Sequence, residues 1–341
     1  RENPFMTNRV KIETTGHEFS VNRDETVLDA AIRQGVHLPY GCRNGQCGKC
    51  MGKLLQGEVA YSEAHSALSS TDKAAGMALF CQAQAKTDLV IESREAETGK
   101  DIPVVKLPCR LEVLDKLNHD VMYLKLKLPA TERMQFLAGQ YIDFLIDEGK
   151  HRSFSIANAP HDDEYIELHI RYVTDGKFTT DVFAKMKVKA MFRIEGPHGN
   201  FYIREKSKKP MILMAGGTGF APIKGMVEHA LKTGLERPIH IYWGVRALED
   251  LYMDEVAQKF TKLNPLIRYT PVLSKPKAED NWQGRTGWVH EAILKDYSDL
   301  SAHEVYAAGP PAMVHAAKDA FEAAGLTQEN YISDAFEFNQ D

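Results

Sequence analysis

The sequence predicts a multidomain chain that joins an α+β module, an all-β module and an α/β module. Three observations lead there. The N-terminal part runs strand, strand, helix and then into a glycine-rich loop holding three cysteines. The middle is strand after strand, broken by turn residues. In the C-terminal part apolar strands alternate with helices, the rhythm of a parallel sheet covered on both faces. The boundaries predicted are residues 6–95, 104–206 and 207–341.

The first module opens with short strands at 10–14 (VKIET) and 18–21 (EFSV), joined by a Thr-Gly-His turn. A helix follows in RDETVLDAAIRQG, with Asp24 as N-cap, Val27, Ala30 and Ala31 on one face, and Gly35 as the stop. LVIES (89–93) reads as a closing strand. The stretch REAETGKDIPVV after it is charged and carries a glycine and a proline, which predicts a linker near 95–103 that few contacts cross.

Six strand-like runs fill the second module: CRLEVLDKL, VMYLKLKLP, QYIDFLI, SFSIAN, IELHIRYV and AMFRIEGP. Only DVFAKM interrupts them as a short helix, so a small antiparallel barrel is expected. In the third module the strands MILMA, IHIYWG, RYTPVL and EVYAA alternate with helices near 221–232, 288–295 and 311–324. Gly234 and Gly325 end two of the helices.

Composition narrows the function classes. Of 341 residues, 43% are hydrophobic and 26% charged, enough for packed cores and against global disorder. The formal charge of −5 offers no basic stripe for nucleic acid. No apolar run reaches the ~18–20 residues of a membrane span, and no charged and apolar leader precedes the first strand. Met6 can serve as initiator, with the five residues before it an extension, and the cytoplasm is the expected compartment.

Five cysteines in such a chain point to metal or redox chemistry. Cys42, Cys47 and Cys50 stand as C-x4-C-x2-C, and Cys81 follows thirty-one residues after the third. That spacing suits the four thiolates of a plant-type 2Fe–2S cluster. Gly41, Gly45 and Gly48 let the backbone wrap the cluster and aim N–H groups at sulfur. A structural zinc site or plain buried thiols are the alternatives. Zinc ribbons use two C-x2-C knuckles, and only one short pair is present. Cys109, in LPCRL, has no partner spacing and reads as a small buried hydrophobe.

PYGCRNGQCGKC and LFCQAQ resemble plant-type ferredoxin domains. RSFSIAN, EGPHGNF, AGGTGFAPI, YWGVR and AGPPAM, in that order, resemble the ferredoxin–NADP reductase superfamily. Over about residues 8–338 the chain looks like the fused reductases of that superfamily. Its IHIYWGVRALEDLY and AGPPAMV runs are most similar to the CDP-6-deoxy-glucoseen reductase branch, beside the bacterial oxygenase reductases. The resemblance implies a β-grasp ferredoxin domain, a six-stranded antiparallel β-barrel flavin domain and a Rossmann-like nucleotide domain. It implies a 2Fe–2S cluster, FAD and NAD(P)H as cofactors.

The same resemblance assigns residues. Arg152 offers a guanidinium fork to a flavin phosphate, Phe154 packs on the flavin ring, and Ser155 lies near its reactive nitrogen. Tyrosine is commoner than phenylalanine at position 154. Gly176, Lys177 and Thr179 turn into a helix N-terminus, a seat for pyrophosphate that favours FAD over FMN. Gly216, Gly217, Thr218 and Gly219 face the nicotinamide, and Gly309 and Pro310 form the second wall. Ala308 stands where the family usually has cysteine. Phe336, in SDAFEF, is the candidate cover of the flavin face, with an ordinary strand-core role as its rival. Ser155, Thr218 and Phe336 therefore surround the expected site of hydride transfer. Ser274-Lys275 holds the place of a Ser-Arg pair that grips a 2′-phosphate in other members, so NADH is favoured. The thirteen histidines show no metal spacing.

A nicotinamide delivers two electrons together, whereas a 2Fe–2S cluster takes one at a time, and a flavin can do both. The expected route runs from NAD(P)H through FAD and the cluster to an acceptor protein, either an oxygenase component or a PMP-dependent dehydratase. Arg43, Asn44 and Gln46 are the expected exposed edge of the cluster. A passive ferredoxin-like carrier and a reductase that releases free reduced flavin or reduces ferric iron are the competing readings.

Overall fold

The computed structural model describes residues 7–62, 65, 67–96, 99–146 and 149–336. The N-terminal module contains β1 (Thr7–Ile12), β2 (Glu18–Asn22), α1 (Val27–Arg33), β3 (Met51–Gln56), β4 (Val59–Ala60), α2 (Ser70–Ala74), β5 (Met77–Leu79), β6 (Gln84–Ala85) and β7 (Leu89–Glu92). Five of these strands form a sheet in the order β2-β1-β7-β3-β5, with β1 and β7 parallel and the other pairs antiparallel. Helix α1 lies against it, burying Val27, Leu28, Ala30 and Ala31 at helical spacing. Thr26 caps α1 in place of the expected Asp24, its hydroxyl accepting the Asp29 N–H at 3.1 Å. Gly35 ends it in the left-handed region (φ 74°), as its position predicts.

The second module holds β8 (Val105–Lys116), β9 (Val121–Lys127), β10 (Tyr141–Leu145), β11 (His151–Ser155), β12 (Tyr165–Arg171), α3 (Lys177–Ala184) and β13 (Met191–His198). All neighbours in the sheet β11-β10-β13-β8-β9-β12 run antiparallel. The outer strands β11 and β12 come close to each other, so the sheet nearly closes. Leu111, Leu124, Phe144, Ile166 and Val182 fill its interior, with Cys109 among them. Burial pushes the Cys109 thiol up to about 12, as expected of a thiol used only for packing.

The third module comprises β14 (Met211–Gly216), α4 (Phe220–Thr233), β15 (Ile239–Val245), α5 (Asp254–Leu263), β16 (Ile267–Leu273), β17 (Arg285–Thr286), α6 (Val289–Asp296), β18 (Glu304–Gly309), α7 (Pro311–Ala323) and β19 (Tyr331–Ala335). The sheet order is β17-β16-β15-β14-β18-β19, all parallel. Tyr242 and Trp243 alternate on β15 and bury on opposite faces, into two separate cores. Strand order reverses between β14 and β18, and ligand clefts of such sheets open at the carboxyl ends of strands at that point. No helix among the described residues is long and apolar enough to cross a membrane.

The modules are tightly joined, contrary to the free linker expected near 95–103. Ala96 and Ile102 are buried against Leu137 and Tyr202 of the barrel, and the Gly99 N–H donates to the Tyr202 hydroxyl at 3.1 Å. Lys224 on α4 fastens the barrel to the parallel sheet. Its ammonium reaches the Ala157 carbonyl at 3.2 Å and Glu167 at 3.1 Å, with Glu228 at 2.7 Å beside it. Burial penalises that charge, and the two carboxylates outweigh the penalty. Gly225 is needed next door, because a Cβ there would stand 2.9 Å from the Asn158 carbonyl oxygen.

Candidate functional site

The cysteine loop spans the stretch between α1 and β3 and brings four thiols together in two pairs. The Cys42 and Cys47 N–H groups donate to each other's sulfur at 3.3 and 3.4 Å, and Cys50 shares a hydrogen bond with Cys81. A cluster of two irons held by four cysteines requires two thiolates on each iron, and two adjacent pairs of thiols suit that requirement. Burial alone would raise the Cys42 thiol, but N–H groups of Asn44, Cys47 and Gln46 pull it below its ordinary value. The hydrogen bond from Cys50 lowers Cys81 to about 7 against the effect of burial, and the Gly45 N–H adds to it. Gly45 and Gly48 take left-handed φ angles of 78° and 73°, and a Cβ on Gly45 would meet the His65 ring at 2.6 Å. Cys42, Cys50 and Cys81 are buried, whereas Cys47 is exposed together with Asn44 and Gln46. Arg43 is not part of that exposed edge. Its guanidinium turns away and pairs with Asp29 at 2.6 Å and Asp163 of the barrel at 2.7 Å.

The second centre is a cavity of about 350 Å³ between the barrel edge and the carboxyl ends of β14 and β19. Arg152, Phe154, Ser155, Gly176, Thr179, Thr218 and Phe336 all line it. These residues come from four separate stretches of sequence, and the fold gathers them on one space. Phe154 and Phe178 form an aromatic wall with ring centroids 5.6 Å apart. Gly176 is the N-cap of α3, with no side chain capping it, so the helix start is left for an outside acceptor. The Thr179 hydroxyl is used inside the turn instead, accepting the Val173 N–H at 3.1 Å. Helix α3 starts at Lys177, earlier than the DVFAKM pattern implies, and Lys177 does not line the cavity.

Gly216–Gly219 and Gly309-Pro310 meet at the carboxyl ends of β14 and β18. A Cβ on Gly219 would lie 2.1 Å from the Ala308 carbonyl oxygen, and one on Gly309 (φ 138°) 2.8 Å from that of Gly216. Ala308 is fully buried behind this contact. Phe336 joins the same wall, its N–H donating to the Gly309 carbonyl at 2.9 Å. Ser274 and Lys275 lie apart, after β16, and do not reach the cavity. The Ser274 hydroxyl donates to the Val245 carbonyl at 3.3 Å, while Lys275 is exposed.

Sequence reasoning missed His169, Arg171, Asp334 and Tyr141, which also line the cavity. His169 and Arg171 at the end of β12, with Val173 just beyond it, alternate, a period-two signal that a strand edge facing a ligand would carry. His169 is buried and pushed down to about 3, first by burial and then by Lys224. Its Nδ1 meets the Tyr252 hydroxyl at 3.0 Å, and its Nε2 has no hydrogen-bond partner among the described residues. Arg171 pairs with Asp120 at 2.8 Å, and its guanidinium borders the Gly217 loop. Asp334 accepts the Ser155 hydroxyl at 3.3 Å, and burial lifts its carboxyl to about 6. Two guanidinium groups, an open helix start, an orphaned imidazole nitrogen and an aromatic wall suit a planar heteroaromatic cofactor carrying phosphates.

Comparison with known proteins agrees in each module. Residues 10–86 match the 2Fe-2S iron-sulfur cluster binding domain, 108–203 the oxidoreductase FAD-binding domain, and 213–319 the oxidoreductase NAD-binding domain. The chain is 40% identical to the CDP-6-deoxy-L-threo-D-glycero-4-hexulose-3-dehydrase reductase of Yersinia pestis, covering 97% of this chain and 99% of the relative. It is 33% identical to the phenol hydroxylase P5 protein of Acinetobacter pittii, over 97% and 95% of the two chains. Among solved structures, the cytochrome P450 reductase GcoB of Amycolatopsis superposes with a TM-score of 0.65 at 29% identity, over 97% and 99% of the chains. The chain therefore belongs to the family of NAD(P)H-dependent flavin iron–sulfur oxidoreductases in which a 2Fe–2S ferredoxin domain, an FAD-binding barrel and an NAD-binding domain form one polypeptide.

Proposed function

We propose that this chain is the electron-supply component of a two-protein system, that hydride is received in the cavity beside Ser155 and Thr218, and that single electrons leave at the exposed side of Cys47. The observation that carries this is the convergence of Arg152, Phe154, Ser155, Thr218 and Phe336 on one cavity. Bound there, FAD would convert the two-electron hydride into single-electron steps, and the cluster would take those one at a time. Arg152, Arg171 and the start of α3 would hold the phosphates, and Phe154 and Phe178 would flank the ring. Gly219 and Gly309 keep the coenzyme loops in close contact. Phe336 would cover the ring face that nicotinamide must reach, and Ser155 is held in place by Asp334. Cys42, Cys47, Cys50 and Cys81 would hold the 2Fe–2S cluster. The three domains are residues 6–95, 104–206 and 207–341, in the cytoplasm. NADH is the better coenzyme, because Lys275 lacks the fork that grips a 2′-phosphate.

For the acceptor, we favour a dehydratase acting on a nucleotide-linked deoxyhexulose over an oxygenase component. The dehydrase reductase of Yersinia pestis shares 40% of its residues with this chain, against 33% for the phenol hydroxylase protein. The deciding experiment supplies NADH, this protein and each class of purified acceptor, and follows acceptor turnover. Turnover of the oxygenase alone would reverse the choice. A reductase that releases free flavin is the second reading, and a yellow cofactor that separates from the protein on gel filtration would favour it.

A further inference from the structure

The cysteine loop has two faces that differ sharply. On one face Asn44, Gln46 and Cys47 are exposed. On the other, residues around Cys42 are held by the barrel at several points. The Arg133 N–H donates to the Gly41 carbonyl at 3.1 Å, just before Cys42. Arg43, just after it, spans Asp29 of α1 at 2.6 Å and Asp163 of the barrel at 2.7 Å. Gln135 donates to the Leu38 carbonyl at 3.2 Å, and Lys49 pairs with Glu132 at 3.0 Å. The side chain of Asp163 is 3% exposed and that of Arg43 26%, so this ion pair between domains is partly buried rather than a surface contact.

Arg43 is also built into the loop itself. Among the described residues it is one of few other than glycine with positive φ (62°), a conformation that persists where surrounding contacts enforce it. The Gln82 side chain, next to Cys81, donates to the Arg43 carbonyl at 2.7 Å. One residue thus touches the neighbourhoods of Cys42 and Cys81 through its backbone, and the flavin barrel through its guanidinium. A lysine could not span both carboxylates, since a single ammonium lacks the planar fork.

We propose that Arg43 is a positioning residue for internal electron transfer: its bridge to Asp163 locks the cluster loop onto the flavin barrel, making the Cys42 side the electron-receiving face and leaving the Cys47 side for the acceptor. This rests on the route from flavin to cluster proposed above. The ferredoxin domain is then a fixed part of the reductase, and it need not detach from the barrel to be reduced.

The test uses the full-length holoprotein in anaerobic rapid mixing with NADH, following flavin bleaching and cluster bleaching separately. Asp163→Asn alters the clamp from the barrel side, far from every cysteine in sequence, and Arg43→Gln alters it from the loop side. Each should leave flavin reduction unchanged and slow the flavin-to-cluster step by about tenfold or more, since small misplacements carry large rate costs. The low-temperature EPR spectrum of the dithionite-reduced cluster should be unaltered in Asp163→Asn, and proteolysis within residues 94–105 should accelerate. Arg43→Lys should recover only part of the rate. The double variant should be no slower than the slower single one, as expected when two residues act as one pair. Asp29→Asn, which cuts only the bond inside the ferredoxin domain, should stay near the wild-type rate. An unchanged flavin-to-cluster step in both Asp163→Asn and Arg43→Gln would overturn the clamp while leaving the route standing. A wild-type cluster that NADH does not reduce would overturn the route itself, and the clamp with it.

Discussion

The Ser155 hydroxyl donates to Asp334 Oδ2 at 3.3 Å, tying the edge of the flavin barrel to the last strand of the coenzyme sheet. Both residues line the cavity, so the bond closes one side of the space in which we propose that flavin and nicotinamide meet.

That bond predicts a pH dependence with a defined sign. Burial raises the Asp334 carboxyl to about 6 in the folded chain, above its unfolded value. Between about pH 4 and 6 the folded state therefore keeps a proton that the unfolded state has lost, and this contribution to stability falls as pH rises through that window. Asp334→Asn removes the effect. In flavin-free protein, the unfolding free energy of the variant minus wild type should rise by up to about 3 kcal/mol across the window and then level off. A flat difference from pH 4 to pH 8 in chemical denaturation would contradict it.

Arg152→Ala should loosen the flavin without disturbing the cluster. Loss of a charge-assisted hydrogen bond costs on the order of 1.5–3 kcal/mol, or about tenfold or more in retention. Flavin content after dialysis, with iron content as the internal control, measures this. Heat-released cofactor should be FAD.

Gly219→Ala should damage coenzyme use selectively. The new methyl would sit 2.1 Å from the Ala308 carbonyl oxygen, so the two coenzyme loops must separate. The kcat/KM for NADH should fall by about tenfold or more, with stability lower by ~1–3 kcal/mol and FAD still bound. Wild-type kinetics in this variant would show that the loops do not form the nicotinamide site.

The proposed preference for NADH rests on Lys275. Its exposed ammonium gives only a point charge, and the neighbouring Ser274 hydroxyl is committed to Val245. NADH should have the higher kcat/KM, and Lys275→Glu should depress NADPH use while leaving NADH use within about twofold. A strong NADPH preference that collapses in the variant would reverse the assignment.

Much of the site is legible in the sequence because its chemistry depends on local patterns. The Cys42, Cys47 and Cys50 spacing, the Gly216–Gly219 glycines and the Gly176 turn each announce themselves within a dozen residues, and Cys81 stands thirty-one residues beyond Cys50. Apolar strands such as MILMA and EVYAA likewise declare the parallel sheet through their length and flanking helices. What the sequence hides is long-range. Asp334 acquires its role only because β19 pairs with β18, placing it beside Ser155, 179 residues away in sequence. Arg43 has the pattern of an exposed basic residue, and only the packing of the barrel against the loop supplies Asp163, 120 residues on. The polar stretch near 95–103 resembles a free tether because two apolar residues among many charges carry little signal, yet Ala96 and Ile102 anchor it.

The central claim is that electrons reach the acceptor only through the cluster, and Cys47→Ser tests it most directly. Cys47 is the exposed member of the four, so its replacement removes a proposed ligand with little disturbance to the buried core. With NADH supplied, the variant should keep its flavin and reduce ferricyanide, which can take electrons from the flavin itself. Its reduction of cytochrome c, a bulky one-electron acceptor, should fall close to zero. Cytochrome c reduction at the wild-type rate, in a variant shown by EPR to lack the cluster, would contradict the account.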